Sequence, residues 1–361
     1  MTSVLFSPLE LRGLRLPNRI VVSPMCQYMS VDGSANDWHL MHLGQFAMGA
    51  AGLLITEATH VSAIGRISPR CLGLYSDENE KTIARVVDFC RKHGVAKLGI
   101  QLAHAGRKGS SLPPAQGGKA LTAEQGAWKT VAPSALPFGP GWHVPEALTA
   151  AGLREVKQQF VDAAKRAARI GFDLVELHAA HGYLMHEFLS PISNQRDDEY
   201  GGSLENRMRF PLEVFEAVRA VWPQERPLGA RVSATDWIDG GWTPEETVVF
   251  AKAMKARGCD FIDVSSGALD PRQQIPFAPG YNAPFAEKVK KESGIATMSV
   301  GMITRPKQAE EIIADGKADL IAIARGAMDD PRWAWRAARE LGGEALYPAN
   351  YQRCSPAVWK P

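Results

Sequence analysis

The sequence predicts one α/β domain folded as a (β/α)8 TIM barrel. Eight short apolar runs recur along its 361 residues, and segments with helical periodicity separate most of them. Such runs are typical of strands that are buried on both faces of a parallel sheet. Eight strand–helix units with right-handed crossovers close naturally into a barrel, whereas an open doubly wound sheet normally uses fewer strands.

The strands and helices can be placed in order along the chain. The predicted strands span residues 19–25, 52–58, 97–102, 173–178, 228–233, 261–266, 297–301 and 319–324. Amphipathic segments suited to helices lie at residues 78–93, 153–170, 204–222, 244–257 and 306–315. Four of them are followed by a glycine typical of a helix C-cap or a turn, namely Gly94, Gly171, Gly258 and Gly316.

Two segments depart from this repeat. A Gly- and Pro-rich loop, residues 105–146, follows the third strand, and a C-terminal extension follows Leu341. Long loops without periodicity usually form lids or binding elements, and barrel active sites lie at the C-terminal ends of the strands. We therefore expect both segments to decorate a functional site. No linker divides the chain, so residues 1–361 are predicted to form a single domain.

The composition predicts a globular protein that acts on a small molecule. Hydrophobic residues make up 45% of the chain and charged residues 22%, which suits a large core. The formal net charge is only +2, which argues against nucleic acid or a membrane surface as a partner. Five cysteines without a C-x-x-C pair indicate a reducing compartment. Since neither a signal sequence nor a membrane span is evident, the expected location is the cytoplasm.

Polar side chains are predicted to converge on the C-terminal end of the barrel. Any one of them could merely satisfy buried backbone groups. Because buried Arg and His need partners, so many on one rim indicate a functional site. In strand order they are Ser23, Cys26, Tyr28, Glu57, Gln101, His178, His181, Tyr183, Arg231 and Arg325.

The segment from His178 to Tyr183 has two interpretations. The H-x-x-H pair could bind zinc with Cys26 as a third ligand, but such a pair is a weak signal and no fourth ligand is evident. We therefore expect no metal. Two imidazoles and a phenol instead suit hydrogen bonding to a substrate oxygen and proton transfer to carbon.

The last two strands indicate an anion site, because this fold frequently binds phosphate there. Gly301 allows a close approach of the backbone, and Arg325 after Ala324 supplies a fork-shaped cation. We expect the anionic tail of a ligand at this point. Arg231 on the fifth strand would lie deeper, where a cation suits an aromatic cofactor ring that gains negative charge.

Four segments carry a family resemblance, residues 18–28, 101–108, 176–184 and 190–206. The chain resembles the Old Yellow Enzymes, which are FMN-dependent ene-reductases, and within them the thermophilic-like or xenobiotic-reductase branch. The resemblance extends over nearly the whole chain. It implies an NADPH dehydrogenase that uses NADPH or NADH and reduces the activated C=C bond of enones. Hydride would pass from reduced flavin to Cβ, and a proton to Cα.

The same resemblance implies the roles of individual residues. His178 and His181 would bind the substrate carbonyl oxygen, Tyr28 would add a hydrogen bond, and Tyr183 would donate the proton. Cys26 would also modulate the redox potential of the flavin. The residues implied to bind FMN are Ser23, Pro24, Met25, Cys26, Ala58, Gln101, Arg231, Gly301, Ala324 and Arg325.

The C-terminal extension resembles the same branch at residues 351–353. In that branch the arginine, Arg353 here, reaches into the active site of a neighbouring subunit, which implies a homodimer or a dimer of dimers. This chain departs from the branch because it continues through Trp359, so Arg353 and Trp359 are alternatives for covering the site. The loop at 109–128 is also longer than in compact members, which leaves the shape of the substrate entrance open.

Two other functions suit the predicted barrel less well. Another FMN barrel, such as a hydroxyacid oxidase or a dihydroorotate dehydrogenase, lacks the His-x-x-His-x-Tyr segment. A barrel that only binds a flavin or another small molecule would not need a placed proton donor such as Tyr183. The physiological substrate and the preference for NADPH or NADH do not follow from the sequence.

Overall fold

The structure, a computed structural model, describes residues 3–359. Its strands are β1 (Leu9–Leu11), β2 (Leu14–Leu16), β3 (Ile20–Val22), β4 (Leu53–His60), β5 (Lys97–Ala103), β6 (Val131–Ala132), β7 (Glu146–Ala147), β8 (Leu174–Ala179), β9 (Leu228–Ser233), β10 (Phe261–Ser265), β11 (Ala296–Ser299) and β12 (Leu320–Ile323). Its helices are α1 (Asp37–Ala47), α2 (Asp77–His93), α3 (Ala150–Ile170), α4 (Leu184–Leu189), α5 (Leu204–Val221), α6 (Pro244–Ala256), α7 (Ala283–Ser293), α8 (Pro306–Ala314), α9 (Arg325–Asp329) and α10 (Trp333–Leu341).

Eight parallel strands close into a barrel in the order β3-β4-β5-β8-β9-β10-β11-β12, and β12 pairs back onto β3. The predicted fold class is therefore confirmed. The antiparallel hairpin β1–β2 plugs the N-terminal end of the barrel, where Leu11, Leu14 and Leu16 share an apolar cluster with Leu174 and Phe261. This apolar plug seals one end of the barrel and leaves the C-terminal ends of the strands for a site.

All eight predicted strands are present, with ends that differ by up to three residues. The largest difference is in β3, which ends at Val22 rather than at residue 25. Pro24 lacks a backbone N–H and cannot continue the ladder of hydrogen bonds. In β4 a register shift between Thr56 and Ala58 turns the end of the strand.

The predicted helices are present, but α1, α4, α7, α9 and α10 were not among the predictions. In α1 the buried face includes His39 and His42, so its hydropathy pattern is weak. Gly171 has the left-handed conformation expected of a C-cap, with φ 93°. Gly94 does not have this conformation, because its backbone is extended. A glycine is required there for close packing instead, since a Cβ would lie 2.6 Å from the Cβ of Ala47.

The two irregular segments lie where the sequence places them. The loop at 105–146 contains three short 3-10 turns and the paired strands β6 and β7, and Arg107 Nη2 within it donates to Leu269 O at 3.0 Å. The C-terminal extension packs on α10, where the Tyr347 ring stacks on Trp335 with centroids 4.6 Å apart. Among residues 3–359, none of the helices is both long and apolar enough to cross a membrane.

Candidate active site

A cavity of about 540 Å³ opens at the C-terminal end of the barrel. Five residues predicted for the site line it: His181, Arg231, Gly301, Ala324 and Arg325. Other lining residues, among them Ser265, Tyr281, Asn282 and Thr304, were not predicted from the sequence. The predicted phosphate residues therefore lie together on one cavity.

Gly301 is suited to a close approach by a ligand. Its φ is +122°, and a Cβ there would lie 2.8 Å from Asn282 Nδ2 and 2.9 Å from the Tyr281 ring. Asn282 is 1% exposed; its Oδ1 accepts a hydrogen bond from Ser266 Oγ at 2.8 Å, whereas its Nδ2 has no partner among the described residues. A buried amide donor without a partner is costly, so this donor is suited to a ligand oxygen.

We predict that Gly301→Ala weakens the binding of an anionic cofactor by roughly 10- to 100-fold, because the added Cβ would lie 2.8 Å from Asn282 Nδ2 and displace a donor to the ligand, and a buried hydrogen bond left unmade costs about 1–3 kcal/mol. Fluorescence titration of the apoprotein with FMN measures this. Gly316→Ala is a matched control, since Gly316 has a φ of +71° but no atom within 4 Å of the position that a Cβ would take. It should lower thermal stability and leave the affinity unchanged; equal affinity loss in both variants would contradict a local role for Gly301.

Arg231 lines the cavity and also contacts buried residues in the interior of the barrel. Its Nη1 donates to Ser23 Oγ at 3.2 Å, and its Nε lies 3.2 Å from Asp263 Oδ2. Arg231 is 7% exposed and Asp263 is fully buried. Because the ion pair fixes the guanidinium beside the cavity, negative charge that develops there is stabilised at short range.

Gln101 lies deeper and contacts an acid that the sequence analysis did not single out. Its Nε2 donates to Glu176 Oε1 at 2.7 Å, and both residues are buried. Burial, together with the nearby Asp263 carboxylate, raises the pKa of Glu176 to about 8. Alternation along β8 was a signal for Glu176, because it lies two residues before His178 and shares its face.

His178 and His181 meet at the end of β8. His178 Nδ1 accepts the Ala180 N–H at 3.2 Å, so its Nε2 carries the proton and lies 3.3 Å from His181 Nδ1. His181 Nε2 lies 2.8 Å from Ser265 Oγ. Burial and the charge of Arg231 lower the pKa of both imidazoles, so both are neutral near pH 7 and each carries one N–H.

The turn that carries His181 and Tyr183 is strained and held from two sides. His181 and Gly182 have φ of 59° and 71°. Lys108 Nζ donates to His181 O at 2.8 Å, and the Gly182 N–H donates to His186 Nδ1 at 2.9 Å. Such strain persists where the surroundings fix the backbone, and it is common at functional sites.

Cys26, Tyr28 and Tyr183 lie together, as the sequence analysis expected. They pack against Ile67 and Cys71 in one apolar cluster. Burial raises the pKa of Cys26, so its thiol is neutral. Within the part of the chain that the structure describes, no group of three or more His, Cys, Asp or Glu side chains is placed to hold a metal ion.

As far as Trp359, the C-terminal extension does not reach this cavity within the same chain. Arg353 is exposed and belongs to a 3-10 turn that spans Ala349–Cys354. Arg339 lies over the Trp359 ring at 5.3 Å from its centroid, which holds this end of the extension on α10. Neither Arg353 nor Trp359 lines the cavity.

The residues present fit FMN. Gly301, the unpartnered Asn282 amide and Arg325 suit its phosphate and ribityl chain, and Arg231 offers a cation to the ring. The cavity volume of about 540 Å³ lies in the range of pockets that hold small molecules.

Comparison with known proteins agrees with this geometry. Residues 4–344 match the model of the NADH:flavin oxidoreductase / NADH oxidase family. The chain is 46% identical to an NADPH dehydrogenase of Geobacillus sp. (strain WCH70) over 355 residues, which cover 98% of this chain and 99% of the relative. It is also 46% identical to an NADPH dehydrogenase of Listeria innocua serovar 6a over 360 residues, 99% of this chain and 100% of the relative.

A solved structure of morphinone reductase superposes with a TM-score of 0.79 and 28% identity, covering 99% of this chain and 93% of that protein. These similarities confirm the resemblance to the Old Yellow Enzymes and the expectation of FMN with NAD(P)H as electron donor. The chain belongs to the NADH:flavin oxidoreductase / NADH oxidase family and is an FMN-dependent NADPH oxidoreductase of the Old Yellow Enzyme type.

Proposed function

We propose that this protein is an ene-reductase that uses NADPH or NADH to reduce the activated C=C bond of α,β-unsaturated carbonyl compounds. The observation that carries the proposal is the group of two imidazoles and a phenol beside the cavity. The His178 ring lies 5.1 Å from that of His181 and 4.8 Å from that of Tyr183. FMN, when bound, supplies the hydride chemistry between NAD(P)H and the substrate β-carbon.

His178 and His181 bind the substrate carbonyl oxygen and stabilise the charge that develops on it. His178 donates from Nε2, since its Nδ1 already accepts the Ala180 N–H. In the structure the His178 Nε2–H faces His181 Nδ1 at 3.3 Å, so Nδ1 is the acceptor there. When a substrate oxygen replaces this contact, His181 can donate from Nδ1 if the Ser265 hydroxyl donates to its Nε2. The hydroxyl can rotate to do so, and Ser265 then supports the tautomer in which both imidazoles point an N–H at the substrate oxygen.

Tyr183 donates the proton to the α-carbon. Burial raises the pKa of its phenol well above the ordinary value, so the hydroxyl is protonated before the reaction. The Lys108 ammonium lies 5.3 Å from the centre of the Tyr183 ring. A cation at this place stabilises the negative charge that the phenol gains when it gives up its proton.

An anaerobic experiment with the two half-reactions tests the proposed function. NADPH should bleach the flavin absorbance of the purified protein, and cyclohexenone should restore it with formation of cyclohexanone. Bleaching by a hydroxyacid or by dihydroorotate, with no reoxidation by enones, would favour the other FMN barrels instead.

We predict that Cys26→Ala retains FMN but shifts its midpoint potential and changes the ratio of the NADPH and enone rates. The neutral thiol is a polarizable group among the residues proposed to line the flavin. Loss of one such contact changes the two redox states unequally, and about 30 mV corresponds to 1.4 kcal/mol for a two-electron couple. An unchanged potential with unchanged rates would leave Cys26 as packing only.

We predict that reoxidation by enones slows as the pH rises through about 8. Burial lowers the pKa of Lys108 to about 8, so its ammonium loses its proton in this range while a neutral amine can still hold the His181 carbonyl. The expected loss is roughly 2- to 30-fold, since a cation–π contact contributes about 0.5–2 kcal/mol. In stopped-flow measurements, Lys108→Met should be reoxidised slowly and at a rate that does not change with pH around 8. If the variant kept the wild-type decrease in rate near pH 8, the proposed role of the Lys108 ammonium would be contradicted.

We also propose that the enzyme acts in the cytoplasm on small-molecule enones, as one domain per chain, and forms a homodimer or a dimer of dimers. The exposed Arg353 and the exposed Val358 and Trp359 support contact with a second copy. Sedimentation tests the assembly, and Arg353→Ala should raise the KM for enones if this arginine reaches the partner's site. A monomer would contradict this part of the proposal.

A further inference from the structure

Four polar side chains form a layer inside the barrel between the apolar plug and the FMN cavity. Glu176 lies two residues after Leu174 of the plug, and Asp263 lies two residues after Phe261. Successive inward positions on a strand are two residues apart, so both acids occupy the next level towards the cavity. The layer consists of Gln101, Glu176, Arg231 and Asp263, none more than 7% exposed.

This layer holds two carboxyl groups and one cation. Arg231 Nε lies 3.2 Å from Asp263 Oδ2, whereas the Glu176 carboxyl has the Gln101 amide at 2.7 Å on Oε1. Glu176 Oε2 and both Asp263 oxygens have no hydrogen-bond partner among residues 3–359. Two buried carboxylates cannot both be ionised at low cost beside a single arginine. Burial raises the pKa of both acids, and the adjacent guanidinium opposes this at Asp263 through the contact at 3.2 Å, so the proton resides on Glu176.

The other strands bring no competing charge to this pair. Glu57 on β4 is directed elsewhere, since its Oε2 accepts the Gln27 N–H at 3.0 Å and its Oε1 lies 3.5 Å from His39 Nε2. Towards the cavity, the imidazoles of His178 and His181 are neutral, because burial lowers the pKa of each. The remaining strands contribute Ser23, Ile55, Val300 and Ala322, none of them ionisable.

We propose that Glu176, when it is ionised in alkaline solution, takes up a proton from solvent as FMN is reduced, so that the Glu176–Asp263 pair sets how the flavin midpoint potential depends on pH. Two-electron reduction takes up two electrons and one proton and leaves the ring with one negative charge. That charge competes with Asp263 for Arg231, so a second proton binds more tightly at Glu176. The inference depends on FMN beside Arg231, not on which substrate reoxidises it.

A potentiometric titration of the holoenzyme from pH 6 to 10 tests the proposal. Each proton taken up with two electrons lowers the midpoint potential by about 30 mV per pH unit. For the wild type, the slope of potential against pH should correspond to one proton per flavin below pH 8 and to nearly two above it. The slope changes near pH 8 because burial and Asp263 raise the pKa of Glu176 to about 8 before reduction. The slope for Glu176→Gln should correspond to one proton over the whole pH range. If this variant retained the break, that is, the change of slope near pH 8, the assignment to Glu176 would be overturned.

Glu187→Gln is the matched control. Burial also raises the pKa of Glu187 to about 8, but this carboxyl accepts the Arg107 N–H at 2.8 Å and has no contact with Arg231. The variant should keep the break near pH 8. If the break disappears in Glu187→Gln and persists in Glu176→Gln, a different acid takes up the proton and the proposal fails.

Proton uptake by the wild type gives a measurement that needs no variant. Anaerobic reduction with dithionite at pH 9 in weak buffer with an indicator dye should consume close to one proton more per flavin than the same reduction at pH 6.5, after correction for the reductant. An infrared difference spectrum should then show a new band of a protonated carboxyl. Equal proton uptake at the two pH values would overturn the proposal even if every variant fails to fold.

Discussion

Tyr183→Phe is expected to slow reoxidation of the reduced enzyme by cyclohexenone by about 10²- to 10⁴-fold, the usual contribution of a placed general acid. The variant keeps the ring, which is partly buried and packs edge-to-face on His178 at 4.8 Å, and loses only the hydroxyl. Reduction by NADPH requires no proton from this residue, so its rate should change little. Stopped-flow measurement of each half-reaction separates the two effects.

A second pair of measurements separates proton donation from substrate binding by Tyr183. The affinity of the oxidised variant for 4-hydroxybenzaldehyde should stay near that of the wild type, since this phenol binds through the imidazoles. Tyr28→Phe is a useful control, because Tyr28 packs in the same cluster as Tyr183 but is not proposed to donate the proton. Equal losses in both half-reactions of Tyr183→Phe would contradict its role as the acid.

The barrel could be predicted from the sequence because its strands are buried on both faces and therefore read as continuous apolar runs. β12 illustrates this, since its residues Leu320–Ile323 are all apolar and lie within the predicted span 319–324. The cavity residues Gly301 and Arg325 were predictable for a similar reason, as their position follows from strand order. α1 could not be found in this way, because histidines occupy part of its buried face.

Other parts of the site depend on distances that no local pattern contains. Glu176 and Asp263 lie on different strands, and their coupling through Arg231 appears only when the barrel closes. The amide of Asn282 reaches the cavity from the start of α7, beyond an irregular loop. The position of Arg353 in an assembly depends on a second copy, which a single chain does not define.

Loss of the two imidazoles is expected to have the other large effect. His178→Ala with His181→Ala should slow reoxidation by enones by at least about 10²- to 10³-fold, the usual cost of removing an oxyanion donor. Binding of 4-hydroxybenzaldehyde to the oxidised enzyme should weaken and its charge-transfer band should fade, because the phenolate oxygen loses both N–H donors. FMN should stay bound, since Gly301, Asn282 and Arg325 lie at another part of the cavity.

Ser265→Ala tests the same site without removing a donor to the substrate. Ser265 Oγ lies 2.8 Å from His181 Nε2, and its loss leaves the imidazole free to keep its proton on Nε2. The His181 Nδ1 would then face the substrate oxygen as an acceptor, so phenol affinity should fall, but less than in the double His variant. The loss of phenol affinity expected in Ser265→Ala and in the double His variant requires an oxyanion bound between the two imidazoles. If the phenol affinity of the double His variant were unchanged, the oxyanion site would lie elsewhere.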